Sequence, residues 1–422
     1  MRPLLHRNIS FPLMVAVLIV AVAPLRGEDV SVEKVFATVP FDQWVKEGQV
    51  TAVPWNVTVQ SVGLTGDQRL GARIHVELAQ RKLVKFSQGD RVTLLLQMSD
   101  AGGRSFRDCK LLNLDDVKLR FKKGIIEVSW HLLVLPGDYN VTLVLVDALN
   151  GRHNLKQLPL HVKRLRNDPL PESWTGLPAV EFLDAELKTP DFPSHSGITG
   201  KLHLPVTPRR VVRMEVLADV TESDLFLSSR RARAHYGSYL REAMLLVKLL
   251  SQISLERGSL SVAMLDLHRG QVIFEQDDVK ELDWPRAWRA VAPKARTVTI
   301  DARELAKQGE GPAFFQDELL RRISLPHAGE AEGDDTVHVF LIIGSHMDYY
   351  SLQGFPHLPP GSEKKCVLYF LQVDLLNPAP AKAAVENMRK MLAPLPLRVF
   401  QVRSAESMRH ALARILEDVR KM

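Results

Sequence analysis

Between about Val32 and Leu165, apolar and polar positions alternate in short runs cut by Gly, Asp and Asn. "GARIHVEL", "DRVTLLLQMSD", "GIIEVSWHLLV" and "DYNVTLVLVDAL" are the clearest. Each run is rich in β-branched and aliphatic residues, has period-two character and is bounded by turn residues. No helical period of useful length interrupts them. Several short strands at close spacing predict an all-β sandwich over residues 32–165.

The pattern changes at Arg166. Seven prolines fall between there and Arg209, which excludes long helices and predicts a semi-rigid connector over 166–209; "AVEFLDAEL" has strand character within it. From residue 210 to 422, unbroken apolar runs alternate with amphipathic ones. "RVVRMEVLAD", "TVHVFLII", "KKCVLYFLQV" and "LRVFQV" read as buried strands, and "SLSVAMLDL" with "QVIFEQ" as a hairpin. "YGSYLREAMLLVKLLSQIS", "AFFQDELLRRI" and "PAKAAVENMRKML" read as helices. A last helix is capped by Ser404 and striped by Met408, Leu412, Ile415, Leu416 and Val419. Apolar strands separated by amphipathic helices predict a doubly wound α/β unit with a mostly parallel sheet covered on both faces.

Length agrees with more than one domain, since 422 residues exceed a single ordinary core. Hydrophobic residues make up 45% and charged residues 25%, an ordinary globular composition. The net charge of +6 is too small to indicate a nucleic-acid partner, and the sparse aromatics are not interleaved with basic residues. At the amino terminus, Arg2, His6 and Arg7 precede the apolar run Phe11–Ala23 and the polar "RGEDVSVEK". A basic start and a core shorter than the ~18 residues of a membrane span predict a secretory signal peptide over 1–27. The chain is therefore expected in the periplasm, at the cell envelope or outside the cell, with no further span. Cys109 and Cys366 are far apart and expected to be free, buried thiols.

Candidate chemistry centres on "MEVLADVTESD". A strand there delivers Asp219, Thr221 and Ser223 at alternating positions, oxygen donors of the class Mg²⁺ prefers. The same residues can instead cap the strand and helix ends through side-chain hydrogen bonds. Arg230, Arg231 and Arg233 follow closely; they disfavour a cation and suit an anionic ligand at a helix start. Tyr349, Tyr350 and Phe355 lie in the loop "HMDYYSLQGFPHLPPG", where a partner could make contact. Signatures of zinc proteases, serine hydrolases, phosphate-binding loops and dithiol redox centres are missing.

Two resemblances sharpen the expectation. "LPGDYNVTLVLVDALNGRHNLKQLPLHV" resembles the closing hairpin of immunoglobulin-like modules, with Tyr139 placed to bond back to the backbone as a tyrosine corner. From about Val211 onward, "ADVTES", the "SVAMLDLHRGQVIF" hairpin and "RVFQVRSAESMRHALARILEDV" resemble a von Willebrand factor type A domain. An exported sandwich followed by such a domain is similar to a group of bacterial secreted proteins. That family's loop begins a metal-ion-dependent adhesion site, so the resemblance implies Asp219, Thr221 and Ser223 as ligands. This chain departs from the family downstream. "KQGEGPAFFQDELL" has no hydroxyl residue near its turn, and Gly344-Ser345 stand where the family has T-D-G. The expectation is a degenerate site without a cofactor, in a non-catalytic binding protein that associates with another protein. A Mg²⁺-dependent adhesion module centred on Asp219 and a secreted hydrolase using Asp219 or His346 are the alternatives.

Overall fold

The computed structural model describes residues 31–87, 89, 91–114, 124–147, 149–183, 200–221, 230–296, 311–324, 335–344, 358, 361–373 and 381–422. For 230–238, 293–296 and 381–384 it describes the backbone alone. Among the described residues the first half holds eight strands: β1 (Trp55–Leu64), β2 (Leu70–Ala79), β3 (Arg91–Asp100), β4 (Ser105–Asn113), β5 (Ile125–Val134), β6 (Gly137–Val146), β7 (His153–Val162) and β8 (Val180–Leu183). They form two antiparallel sheets, ordered β1-β2-β5-β8 and β4-β3-β6-β7. The inward positions are those that period two predicts: Ile74, Val76 and Leu78 of β2 meet Leu94 and Leu96 of β3 and Val141, Leu143 and Leu145 of β6. Tyr139 Oη donates to the Leu135 carbonyl at 2.8 Å and to the Ala179 carbonyl at 3.2 Å, tying the start of β6 to the segment that leads into β8.

Three short helices accompany these strands where the pattern predicts none: α1 (Val32–Ala37), α2 (Phe41–Glu47) and α3 (Gln80–Phe86). The reason lies in β3 and β6, whose runs "LLL" and "TLVLV" are apolar on both faces. Leu95, Val144, Val146 and Leu155 point away from the sandwich interior, and Phe36, Phe41 and Trp44 cover them.

The second half contains β9 (Leu204–Val206), β10 (Val212–Asp219), α4 (Arg230–Leu250), β11 (Ile253–Leu255), β12 (Gly258–Asp266) and β13 (Gln271–Gln276). It continues with α5 (Trp284–Arg296), α6 (Gly311–Ser324), β14 (Val337–Gly344), α7 (Ser362–Lys365), β15 (Cys366–Val373), α8 (Ala381–Leu392), β16 (Leu397–Val402) and α9 (Ala405–Lys421). A six-stranded sheet has the order β13-β12-β10-β14-β15-β16, and β9 and β11 pair separately. β10 is buried at all its positions. Met214, Val216 and Ala218 pack with Leu240, Met244 and Val247 of α4 and with Leu412, Ile415 and Leu416 of α9. Leu217 faces the other way, toward Phe315 and Leu319 of α6 and Met388 and Met391 of α8.

The expected fold class, a sandwich joined to a doubly wound, mostly parallel α/β unit of von Willebrand type, is corrected. Among the described residues β-structure prevails, 43% strand against 30% helix, with several antiparallel sheets and no clear doubly wound parallel domain. Among the described residues seven of the twelve ladders are antiparallel. The physical reason is connection length. A tight turn returns the chain antiparallel at once, whereas each parallel neighbour needs a crossover of a dozen or more residues. Short returns join β1 to β2, β3 to β4 and β6 to β7 in the first half, and Leu267–Gly270 repeats the device in the six-stranded sheet, folding β13 back along β12.

The two halves meet at α9. Arg409, 2% exposed, donates to both carboxylate oxygens of Asp168, to the Leu170 carbonyl and to Ser173 Oγ. Its guanidinium lies 4.7 Å from the Trp174 ring centroid, and Trp174 in turn donates to the Gln68 carbonyl. Arg69 and Glu181 form a second buried ion pair close by.

Candidate functional site

β10 ends at Asp219, in the middle of the six-stranded sheet, level with Leu265 of the neighbouring β12. Both strands run parallel, so their carboxyl ends open on the same edge, the usual position of ligand crevices in open sheets. Asp219 is 3% exposed. Its Oδ1 accepts the Thr221 N–H at 2.9 Å, a local turn that curls the chain off the strand. Thr221 Oγ1 then accepts the Leu267 N–H at 2.8 Å, fastening this turn to the loop after β12. The Asp219 carbonyl accepts from Tyr239 Oη of α4 at 2.6 Å.

A second carboxylate belongs to this place. Asp266, the last residue of β12, is also 3% exposed, and its Oδ1 accepts the Arg269 N–H at 3.2 Å. Burial pushes the Asp219 carboxyl up to about 6, and the Asp266 charge adds to the rise. The Thr221 hydrogen bonds and His268 pull the other way.

The donor set of Asp219, Asp266 and Thr221 is all oxygen, which fits a hard divalent cation. The Thr221 hydroxyl keeps a second lone pair beyond the one that Leu267 uses. The same contacts serve equally as bracing between two strand ends. Of the residues expected at the site, Asp219 and Thr221 are brought together. Ser223, Tyr349, Tyr350 and Phe355, and the side chains of Arg230, Arg231 and Arg233 at the start of α4, lie outside the described residues.

Asp266, His268 and Tyr239 escaped sequence reasoning as site residues. Asp266 had a usable signal: an acidic residue closing an apolar strand that neighbours the Asp219 strand. Tyr239 had none, because only the packing of α4 on the sheet brings its hydroxyl to the end of β10. Both cysteines are free, Cys366 buried as expected and Cys109 only half-buried; burial raises Cys109 to about 11 and Cys366 to about 12, so neither is a reactive thiolate at neutral pH. Among the described residues no helix is long and apolar enough to cross a membrane.

No protein-family model matches the chain. No curated protein matches it either. Among solved structures, a single-site mutant of the PilB minor pilin from Streptococcus sanguinis aligns over 92% of this chain and 97% of its own. The identity is 7% and the TM-score 0.28. The PilB minor pilin itself aligns over 78% of this chain and 87% of its own, at 7% identity and a TM-score of 0.24. A β-glucuronidase from Parabacteroides merdae aligns over 80% of this chain and 38% of its own, at 7% identity and a TM-score of 0.17. Likenesses at these scores carry no argument about fold or function.

Proposed function

We propose that this is an exported, non-catalytic protein that associates with a protein partner at the cell envelope or outside the cell. Its working surface is the edge at the carboxyl ends of β10, β12 and β14, with the loops that leave them. The observation that carries this reading is the use made of Asp219 and Thr221. Their carboxylate and hydroxyl accept backbone N–H groups and brace two strand ends against each other. Such bracing makes a rigid platform from which loops can be presented. Export is supported by the basic start and the apolar run Phe11–Ala23. The three arginines after Ser223 and the aromatic loop at 349–355 supply contact residues of the types enriched at protein interfaces.

The test is capture of envelope proteins by the immobilised chain in EDTA and in millimolar Mg²⁺. Capture is expected to be equal in both, to survive Asp219→Asn, and to fail when Arg230, Arg231 and Arg233 are changed together to Ser. Capture that withstands the triple change, and also Tyr349→Ala with Tyr350→Ala, sinks the assignment of the surface.

A second reading has its own observation. Asp266 places another buried carboxylate beside Asp219, and a cation would relieve their repulsion. In this version binding requires Mg²⁺ and is lost in Asp219→Asn, so the same experiment separates the two.

A further inference from the structure

On the outer face of the β1-β2-β5-β8 sheet, β2 and β5 bring together three side chains that nothing above uses. β2 alternates strictly, so Ile74, Val76 and Leu78 face the core while His75 and Glu77 share the outer face. In the β2–β5 register Glu77 stands directly opposite Glu127, and His75 opposite Ser129. One potential ligand atom from each of His75, Glu77 and Glu127 lies within 4.8 Å of the other two, and all three residues are half-buried.

We propose that His75, Glu77 and Glu127 hold a divalent transition-metal ion of the Zn²⁺ class on the outer face of the sandwich. Three observations converge. The first is spacing. His75 Nε2 and Glu77 Oε1 are 3.5 Å apart, and a tetrahedron with bonds of about 2.0–2.1 Å has edges of roughly 3.3–3.4 Å. Glu127 offers its ligand atom within 4.8 Å of both, so a change of side-chain rotamer closes the set.

The second is orientation. His75 Nδ1 bonds Ser129 Oγ at 2.8 Å, which fixes the ring and turns Nε2 toward Glu77. Asn56 Nδ2 donates to Glu77 Oε2 at 3.1 Å, leaving Oε1 toward His75. Metal-binding imidazoles and carboxylates are commonly held in this manner by a partner on the other heteroatom.

The third is charge. Two carboxylates directly opposite on adjacent strands repel. Among the described residues neither Glu77 nor Glu127 forms an ion pair with Lys or Arg. A protonated His75 balances one of them, whereas a bound dication balances both. The imidazole selects the ion: nitrogen suits Zn²⁺ and its neighbours, while Mg²⁺ and Ca²⁺ prefer oxygen alone.

The experiment uses the purified full chain stripped with EDTA, then titrated with Zn²⁺ by calorimetry and followed by thermal unfolding. The wild type is expected to bind one ion at this site and to melt higher with Zn²⁺ but not with equimolar Mg²⁺. Glu127→Gln and His75→Gln each weaken that binding by about tenfold or more. Asp219→Asn leaves it unchanged, which separates this site from the end of β10. In EDTA, Glu127→Gln melts at or slightly above the wild type, because one of two opposed carboxylates is gone. Zn²⁺ binding equal in wild type and Glu127→Gln overturns the proposal. So does an equal response to Mg²⁺, or a Glu127→Gln protein that melts well below the wild type in EDTA.

Discussion

Arg409 is the most consequential side chain at the junction of the two halves, and replacing it with Met tests what holds them together. The methionine keeps most of the aliphatic stem but loses five donors and the charge. Left behind are the Asp168 carboxylate, whose side chain is 10% exposed, the Leu170 carbonyl and the ring of Trp174. Removing one partner of a buried, hydrogen-bonded ion pair costs about 3–5 kcal/mol, because the other charge stays buried without compensation. Domains of this size are stable by roughly 5–15 kcal/mol, so the loss is a large fraction of the total.

The contacts join residues 168–173 and Trp174 to α9, and the change therefore also uncouples the halves. Calorimetry should show the junction-dependent transition moving to lower temperature and separating from the other. Asp168→Asn alone and the Arg409→Met, Asp168→Asn double variant complete a cycle with a coupling energy of at least about 1 kcal/mol. Acid adds an independent check. Burial raises the Asp168 carboxyl, but the Arg409 hydrogen bonds and charge, with the Leu170 N–H, more than offset this and hold it below its ordinary 3.8. Its contribution is complete above that value and is lost as pH falls through the lower folded-state pKa, a loss that Arg409→Met reduces. A single unsplit transition within about 1 kcal/mol of the wild type, or strictly additive single changes, refutes the reasoning.

Further predictions concern the sheet end and the covers. Asp219 has a raised pKa of about 6, so the folded state holds its proton more tightly than the unfolded chain does. Stability therefore falls as pH rises from about 4 to 6, by on the order of 3 kcal/mol. Asp219→Asn flattens that dependence in EDTA denaturation curves, and an unchanged slope refutes the assignment. Gly258 opens β12 at φ +139°, and a Cβ there would sit 1.8 Å from the Val212 carbonyl oxygen. Gly258→Ala should cost at least about 2 kcal/mol in chemical denaturation by forcing apart the start of the β10–β12 ladder. Trp44 covers the outer face of β6 and stacks on His153 with centroids 4.1 Å apart. Trp44→Ala should lower stability by about 3 kcal/mol, and a loss below about 1 kcal/mol means the α1–α2 cover is dispensable.

Much of the local structure was legible because its causes are local. Period two in "RIHVEL" names the buried face of β2 without any partner strand, and the mostly apolar "VVRMEVLAD" lacks that alternation because β10 is buried on both faces. Ser404 announced the start of α9. Its Oγ accepts the Ser407 N–H at 3.2 Å, and Ser407 Oγ accepts the Ser404 N–H at 2.9 Å. Tyr139 was similarly readable, since one of the carbonyls it bonds, that of Leu135, is only four residues away.

What escaped the sequence depends on groups far apart in the chain. Helices of six or seven residues have little stability of their own, so α1 and α2 exist because Leu95, Val144 and Leu155 need a cover. The fold class turned on which strands return by short turns and which by crossovers, a balance that apolar runs do not report. Asp266 meets Asp219 only through the parallel register of β10 with β12, and Glu127 meets Glu77 only through the antiparallel register of β5 with β2. Arg409 reads as one more polar position on a helix until Asp168, 241 residues away, is placed against it. Sequence by itself determined which residues could be strand, helix, cap or core, because those preferences act over one or two turns of backbone. Tertiary structure alone decided which charges share a site, because Coulomb energy and hydrogen bonding depend on distance in space and not on separation along the chain.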